Sequence, residues 1–221
     1  EAAKQYHMGA AFKLSELYSN GTIIPRDEKK ASLYSKINST GPNTYDSTYN
    51  LALLKLNGKA DEDDAHQVLK NTFEAFYLFS QCSEGHSGAL YHLAQCYRDG
   101  TGTNKDLKKA ADLFEKASNN GILDASCDFA LCLLNGEGRP EDKAKAIKLF
   151  TELSELGCSY ATYCLAKCYL TCDGVEGDME RSISLLRTAH ADGYTEATFL
   201  LAELIQSTEV REARELFEIA A

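Results

Sequence analysis

The chain has 221 residues, 44% hydrophobic and 25% charged, a length and balance that suit a folded protein with a substantial core and exclude intrinsic disorder. Its formal net charge of -10 and pI near 5.0 argue against a nucleic-acid partner, which needs a clustered basic surface, and slightly favour basic partners. No run approaches the roughly 18 apolar residues of a membrane span, and eight cysteines are too sparse for a disulfide scaffold.

In chain order the predicted elements are helices in pairs. No secretory signal pattern opens the chain, which starts at Glu1 and is expected to begin and end inside repeats. Ala2-Ala3 match the end of a preceding second helix. Ala10, Phe12, Leu14, Tyr18 and Gly21 mark the next first helix, whose partner follows Asp27 and closes at Gly41. Ser47, Tyr49, Leu51, Ala52 and Gly58 begin another pair. There the run Asp61-Glu62-Asp63-Asp64 suits the positive end of a longer helix through Val68, Leu69, Phe73 and Phe76. That run lacks the glycine and terminal glutamate of a calcium loop, so a solvated helix start is the better reading.

From Ala89 the repeat becomes strict. Ala89, Ala125, Ala161 and Ala197 stand 36 residues apart, whereas Ser47 precedes Ala89 by 42, the extra residues falling in the loop and second helix. Four residues on comes a large apolar side chain (Leu93, Phe129, Leu165, Leu201), then an alanine (Ala94, Ala130, Ala166, Ala202) that lets two helices approach closely. Gly100 and Gly136 stop the first helix, and Asp106 and Asp142 are placed to cap the second. The second helix carries Leu113-Phe114, Leu149-Phe150 or Leu185-Leu186, then Ala117, Leu153 or Ala189, before Gly121, Gly157 or Gly193 ends the unit. This is the spacing of helices with one buried face. The expected organisation is one all-α array over 1–221, with repeats at about 10–46, 47–88, 89–124, 125–160, 161–196 and 197–221.

The string from Ala89 through Gly100, Gly102 and Asp106 to Ala110 resembles the SEL-one-like repeat family, relatives of the tetratricopeptide repeat. Gly136-Glu137-Gly138 and Gly174-Val175, followed by Asp142 and Asp178, repeat the loop signature in weaker form. The resemblance covers nearly the whole chain. It implies a right-handed α-α superhelix with the first helix of each pair, helix A, lining a concave side. It also implies adaptor roles: partners of ubiquitin ligases in quality control, activators of chitin synthase, or bacterial factors that meet host proteins. Two departures stand out. Cys172 replaces the loop glycine, and the pair beginning at Ser47 lacks the Gly-x-Gly loop.

Candidate chemistry reads mostly as core. Cys96, Cys132 and Cys168 share a column with Leu17, Leu54 and Leu204, and Cys82 aligns with Ala117, Leu153 and Ala189, so these thiols are expected to pack as small hydrophobes. No cysteine pair recurs at a constant offset, which favours reduced thiols and a reducing compartment such as the cytoplasm. The constellation Cys82/His86/His92/Cys96 matches no common zinc-finger spacing, and Cys164, Cys168 and Cys172, three thiols over two helical turns, cannot close a tetrahedral site alone. No lysine has a serine three residues before it, and no Gly-x-x-x-x-Gly-Lys loop occurs. Gly100 and Gly102 read as helix stops. Neither a catalytic set nor a cofactor or small-molecule substrate is expected.

What remains is the A-helix face, two, six and nine residues after each leading position. These columns hold Tyr49, Leu53 and Leu56; Tyr91, Gln95 and Arg98; Cys127, Leu131 and Leu134; Tyr163, Lys167 and Leu170. Recurring leucine with tyrosine suggests a docking stripe for a protein or peptide partner, with Arg98 and Lys167 as charged contacts. The rival expectation is a regulatory or substrate-binding segment of a larger enzyme.

Overall fold

A computed structural model describes residues 44–57 and 65–220, together with 13, 14, 17, 18, 25, 27 and 29–31. Ala2-Ala3, Ala10, Phe12, Gly21, Gly41, Gly58 and the acidic run 61–64 lie outside the described residues. The chain divides into two compact units, 1–122 and 123–221.

Helices account for the regular structure, and no strand occurs among the described residues. Unit one holds α1 (Thr44–Asn57), α2 (Ala65–Cys82), α3 (Ser87–Asp99) and α4 (Leu107–Asn119). Unit two holds α5 (Leu123–Asn135), α6 (Lys143–Glu155), α7 (Ser159–Thr171), α8 (Met179–Ala191), α9 (Thr195–Ile205) and α10 (Val210–Ala220). Within each unit every helix packs on its neighbours along the chain. Odd-numbered helices are the A helices and even-numbered ones their partners, the B helices.

The repeating columns explain the packing. Ala89, Ala125, Ala161 and Ala197, and five residues on Ala94, Ala130, Ala166 and Ala202, have no exposed surface. Phe114, Phe150 and Leu186 fill the B-helix side of the core and are fully buried. The column of Ala110 and Ala146 holds Ser182 in the next copy, and there the buried hydroxyl donates to the Ala166 carbonyl at 2.8 Å, so its polarity is satisfied across the α7–α8 contact.

The α3–α4, α5–α6 and α7–α8 loops are closed in the same way. Asp106, Asp142 and Asp178 accept the N–H of Lys109, Lys145 and Arg181 at 3.0, 3.0 and 2.9 Å, while donating their own N–H to the carbonyls of Tyr97, Leu133 and Tyr169. Asp27 does both as well, donating to Tyr18 O and accepting from Lys30 N–H. The N–H bonds from the backbone hold the Asp27 and Asp106 carboxyls below the usual range. Replacing Asp142 by alanine leaves a helix donor unsatisfied and is expected to cost about 1 kcal/mol, readable as a lower urea midpoint at unchanged slope.

The longer helix expected in the second copy is present, with a difference in its facing. Ala75, Phe79 and Cys82 of α2 enter the core, whereas Val68, Leu69, Phe73 and Tyr77 are exposed. At 18 residues α2 is five longer than the 13-residue helices, and Val68, Leu69 and Phe73 in its N-terminal half stay outside the core of unit one.

Candidate functional site

Unit two contains a depression of about 200 Å³ between two successive A helices. Leu131, Leu134 and Asn135 line it from α5, Cys164, Lys167, Cys168 and Thr171 from α7, and Asp173 from the loop that follows α7. The intervals of three and four residues place these side chains on one face of each helix. Of the A-helix stripe expected from sequence, the structure brings Leu131, Leu134 and Lys167 together here.

The groove mixes apolar and polar lining residues and carries one lysine without an ion pair. Leu134 is buried and Leu131 half-buried. Burial pushes the Cys164 thiol up to about 12 and the Cys168 thiol up to about 11, so both are neutral and weakly nucleophilic at neutral pH. Asp173 is paired with Lys143 at 2.9 Å. The Lys167 side chain is exposed, its ammonium 5.5 Å from the Tyr163 ring centroid, and it makes no ion pair among the described residues. An occupant would therefore meet apolar surface beside an available ammonium.

The other stripe positions are occupied differently. Tyr163 packs against Tyr194 with ring centroids 5.2 Å apart, and Leu170 is half-buried on the same helix. In unit one Tyr49 stacks on His86 at 3.9 Å, and Leu53 and Leu56 pack against the core cluster around Phe79. Tyr91 lies 6.0 Å from Phe114, Gln95 bonds His92, and Arg98 reaches Asp99 at 3.0 Å with its guanidinium over Phe114. Cys127, assigned to the stripe by its column, has no exposed surface and lies 3.6 Å from the Cys158 sulfur. Its side chain fills an inter-helix contact.

The histidines near α3 serve local structure. His86 Nδ1 accepts the Ala89 N–H at 3.1 Å and so caps α3, and burial holds its pKa below the ordinary value. His92 packs on Phe79 at 5.1 Å. Cys82 donates to the Leu78 carbonyl, and burial pushes its thiol up to about 12. Cys96, Cys132 and Cys168 are buried as their shared column implied. Among the described residues no group of three or more histidine, cysteine, aspartate or glutamate side chains is arranged to hold a metal ion. No helix of the described residues is long and apolar enough to cross a membrane.

Sequence reading missed Asn135, Cys164, Cys168, Thr171 and Asp173 as lining residues. The usable signal was their position three, seven, ten and twelve residues after the leading alanine, within one turn of the columns already chosen.

Capped helix pairs at a fixed interval, buried alanine columns and a groove between successive A helices define a helical repeat protein of the solenoid class. The chain belongs to the Sel1 repeat family, whose model matches residues 9–32, 46–84, 87–122, 124–158 and 159–194. Residues 195–220, outside those matches, form the further pair α9 and α10. A Sel1 repeat protein from Oxalobacter formigenes has a similar structure, with 20% identity and a TM-score of 0.83 over 97% of this chain and 85% of that one. A protective antigen of uropathogenic Escherichia coli strains, displaying an SLR fold, gives 21% identity and a TM-score of 0.75 over 99% of this chain and 46% of the antigen. An immunity protein from Pseudomonas aeruginosa gives 21% and 0.58 over 80% of this chain and 65% of that protein. At these identities the likeness shows the fold. No curated protein matches the chain. Sel1 repeats generally serve as protein–protein interaction modules and are typically non-catalytic.

Proposed function

We propose that this chain is an adaptor that holds a partner peptide or helix on its A-helix face, with the α5–α7 groove as the anchor point. The observation that carries this reading is the Lys167 ammonium, exposed and without a carboxylate, beside Leu131 and Leu134 in the same depression. Two neutral thiols also line it, and the nearby Asp173 pairs with Lys143, which Glu141 shares at 3.5 Å. The fitting ligand is a peptide that places an apolar side chain next to an aspartate or glutamate. Tyr163 and Leu170 extend the same helix face, and Tyr49, Leu53, Leu56, Tyr91, Gln95 and Arg98 would offer the corresponding surface on unit one. Buried apolar area would supply the affinity and the charge pair the orientation.

Random peptides displayed on phage and selected on the native protein test this. The selected sequences are expected to share an apolar residue adjacent to an acid. Their synthetic counterparts should bind Lys167→Glu about tenfold more weakly, roughly 1.4 kcal/mol. Leu131→Glu should weaken them further, and it suits the test better than a change at Leu134, whose burial ties it to folding. Selected peptides without an acidic residue, or equal affinity for parent and Lys167→Glu, would remove the proposal.

A further inference from the structure

The Cys127 and Cys158 sulfurs lie 3.6 Å apart, although 31 residues separate them in the chain. Cys127 sits in the first half of α5 with no exposed surface, and Cys158 is the half-buried residue immediately before α7. The contact is therefore made where α5 meets the segment that leads into α7. The neighbouring copy shows what these two columns otherwise hold. Thirty-six residues on, Tyr163 and Tyr194 occupy them and meet through their rings at 5.2 Å. A junction that an aromatic pair fills in one repeat is thus filled by two thiols in the other. Burial and the adjacent Cys158 hold the Cys127 thiol above its ordinary pKa.

We propose that Cys127 and Cys158 form a dithiol site that converts reversibly to a disulfide, tying the start of α5 to the start of α7 beside the groove. Bond formation requires the sulfurs to close from 3.6 Å to about 2.05 Å, a side-chain movement that is easiest at Cys158, which lies in a turn with no side-chain capping bond. The oxidant is a small-molecule disulfide. Cys158 loses its proton to solvent and its sulfur attacks one sulfur of the oxidant. The oxidant's S–S bond breaks, and one small thiolate leaves and is protonated. Cys127 then loses its proton as its sulfur attacks the Cys158 sulfur of the mixed disulfide, releasing the second small thiol. Two protein thiols are oxidised and one small disulfide is reduced to two thiols. Burial of Cys127 makes the second attack the slower step, and the short separation offsets this by presenting the two sulfurs to each other.

The bond would enclose most of α5, all of α6 and both intervening turns. It would also fix the separation of the two helices that line the groove. Its formation does not depend on what the groove binds.

The full chain treated with oxidised glutathione, followed by non-reducing peptide mapping and thermal denaturation, tests the site. A cross-linked Cys127–Cys158 peptide, lighter by two hydrogens, is expected, with an apparent Tm raised by about 5–10 °C over the reduced protein. Both effects should vanish in Cys158→Ser and persist in Cys172→Ser, which removes an exposed thiol. Cys127→Ala, whose packing change is small, should stop at the mixed disulfide on Cys158. A stable mixed disulfide on the native chain, a bond from either thiol to Cys164, or a cross-link that leaves Tm unchanged would overturn the proposal.

Discussion

Gly102→Ala is expected to destabilise unit one by about 3 kcal/mol, and Gly121→Ala by only about 1 kcal/mol. Both glycines adopt the left-handed backbone, with φ of 69° and 86°. An alanine pays the same conformational strain at either position. They differ in what surrounds them. A Cβ on Gly102 would stand 2.3 Å from the Thr72 carbonyl oxygen, a backbone atom of α2 that cannot swing aside, whereas a Cβ on Gly121 meets nothing within 4 Å. To accommodate the methyl group, the α3–α4 loop must lift from α2. Urea denaturation of the two variants beside the parent checks the prediction. Equal losses would mean that backbone conformation alone, and not the approach of the loop to the preceding helix, requires the glycine.

That comparison also shows what the sequence could and could not reveal. The alanine columns, the capping aspartates and the closing glycines all recur at 36 residues, and each has a local mechanism, so the helix pairs and their core faces were legible. The Gly-x-Gly loop was only half legible. Gly100 stops α3 as expected, donating its N–H to the Cys96 carbonyl at 2.9 Å, and Cys172 adopts the same left-handed turn with φ of 57° despite its side chain. Gly102 and Gly174, however, are required by close packing on the preceding B helix: a Cβ on Gly174 would lie 2.8 Å from that of Lys143. Nothing in the local sequence signals a neighbour more than a helix away. The groove was legible to the same extent. Column positions selected Leu131, Leu134 and Lys167, but they also selected Cys127, which the inter-helix junction buries. The columns give direction from one helix, and burial is decided by two.

Leu201→Ala should cost about 3–4 kcal/mol, while Phe199→Ala on the same helix should cost about 1 kcal/mol or less. Leu201 has no exposed surface and belongs to a cluster that joins Ala166 of α7, Leu186 and Ala189 of α8, and Ala213 and Leu216 of α10. Truncation leaves a cavity among four helices whose backbones already touch through alanines and so have little room to collapse. Phe199 is 49% exposed, and its main partner is an edge contact with Phe217 at 5.7 Å. Because a repeat array is stabilised chiefly through nearest-neighbour interfaces, the Leu201 loss should stay local. Hydrogen exchange should accelerate by about a hundredfold or more in α8, α9 and α10, with the slow amides of α2 to α4 unchanged. Uniform acceleration along the chain would show instead that the repeats unfold as one cooperative body, and a site such as the α5–α7 groove could then not be tuned without moving the stability of the whole protein.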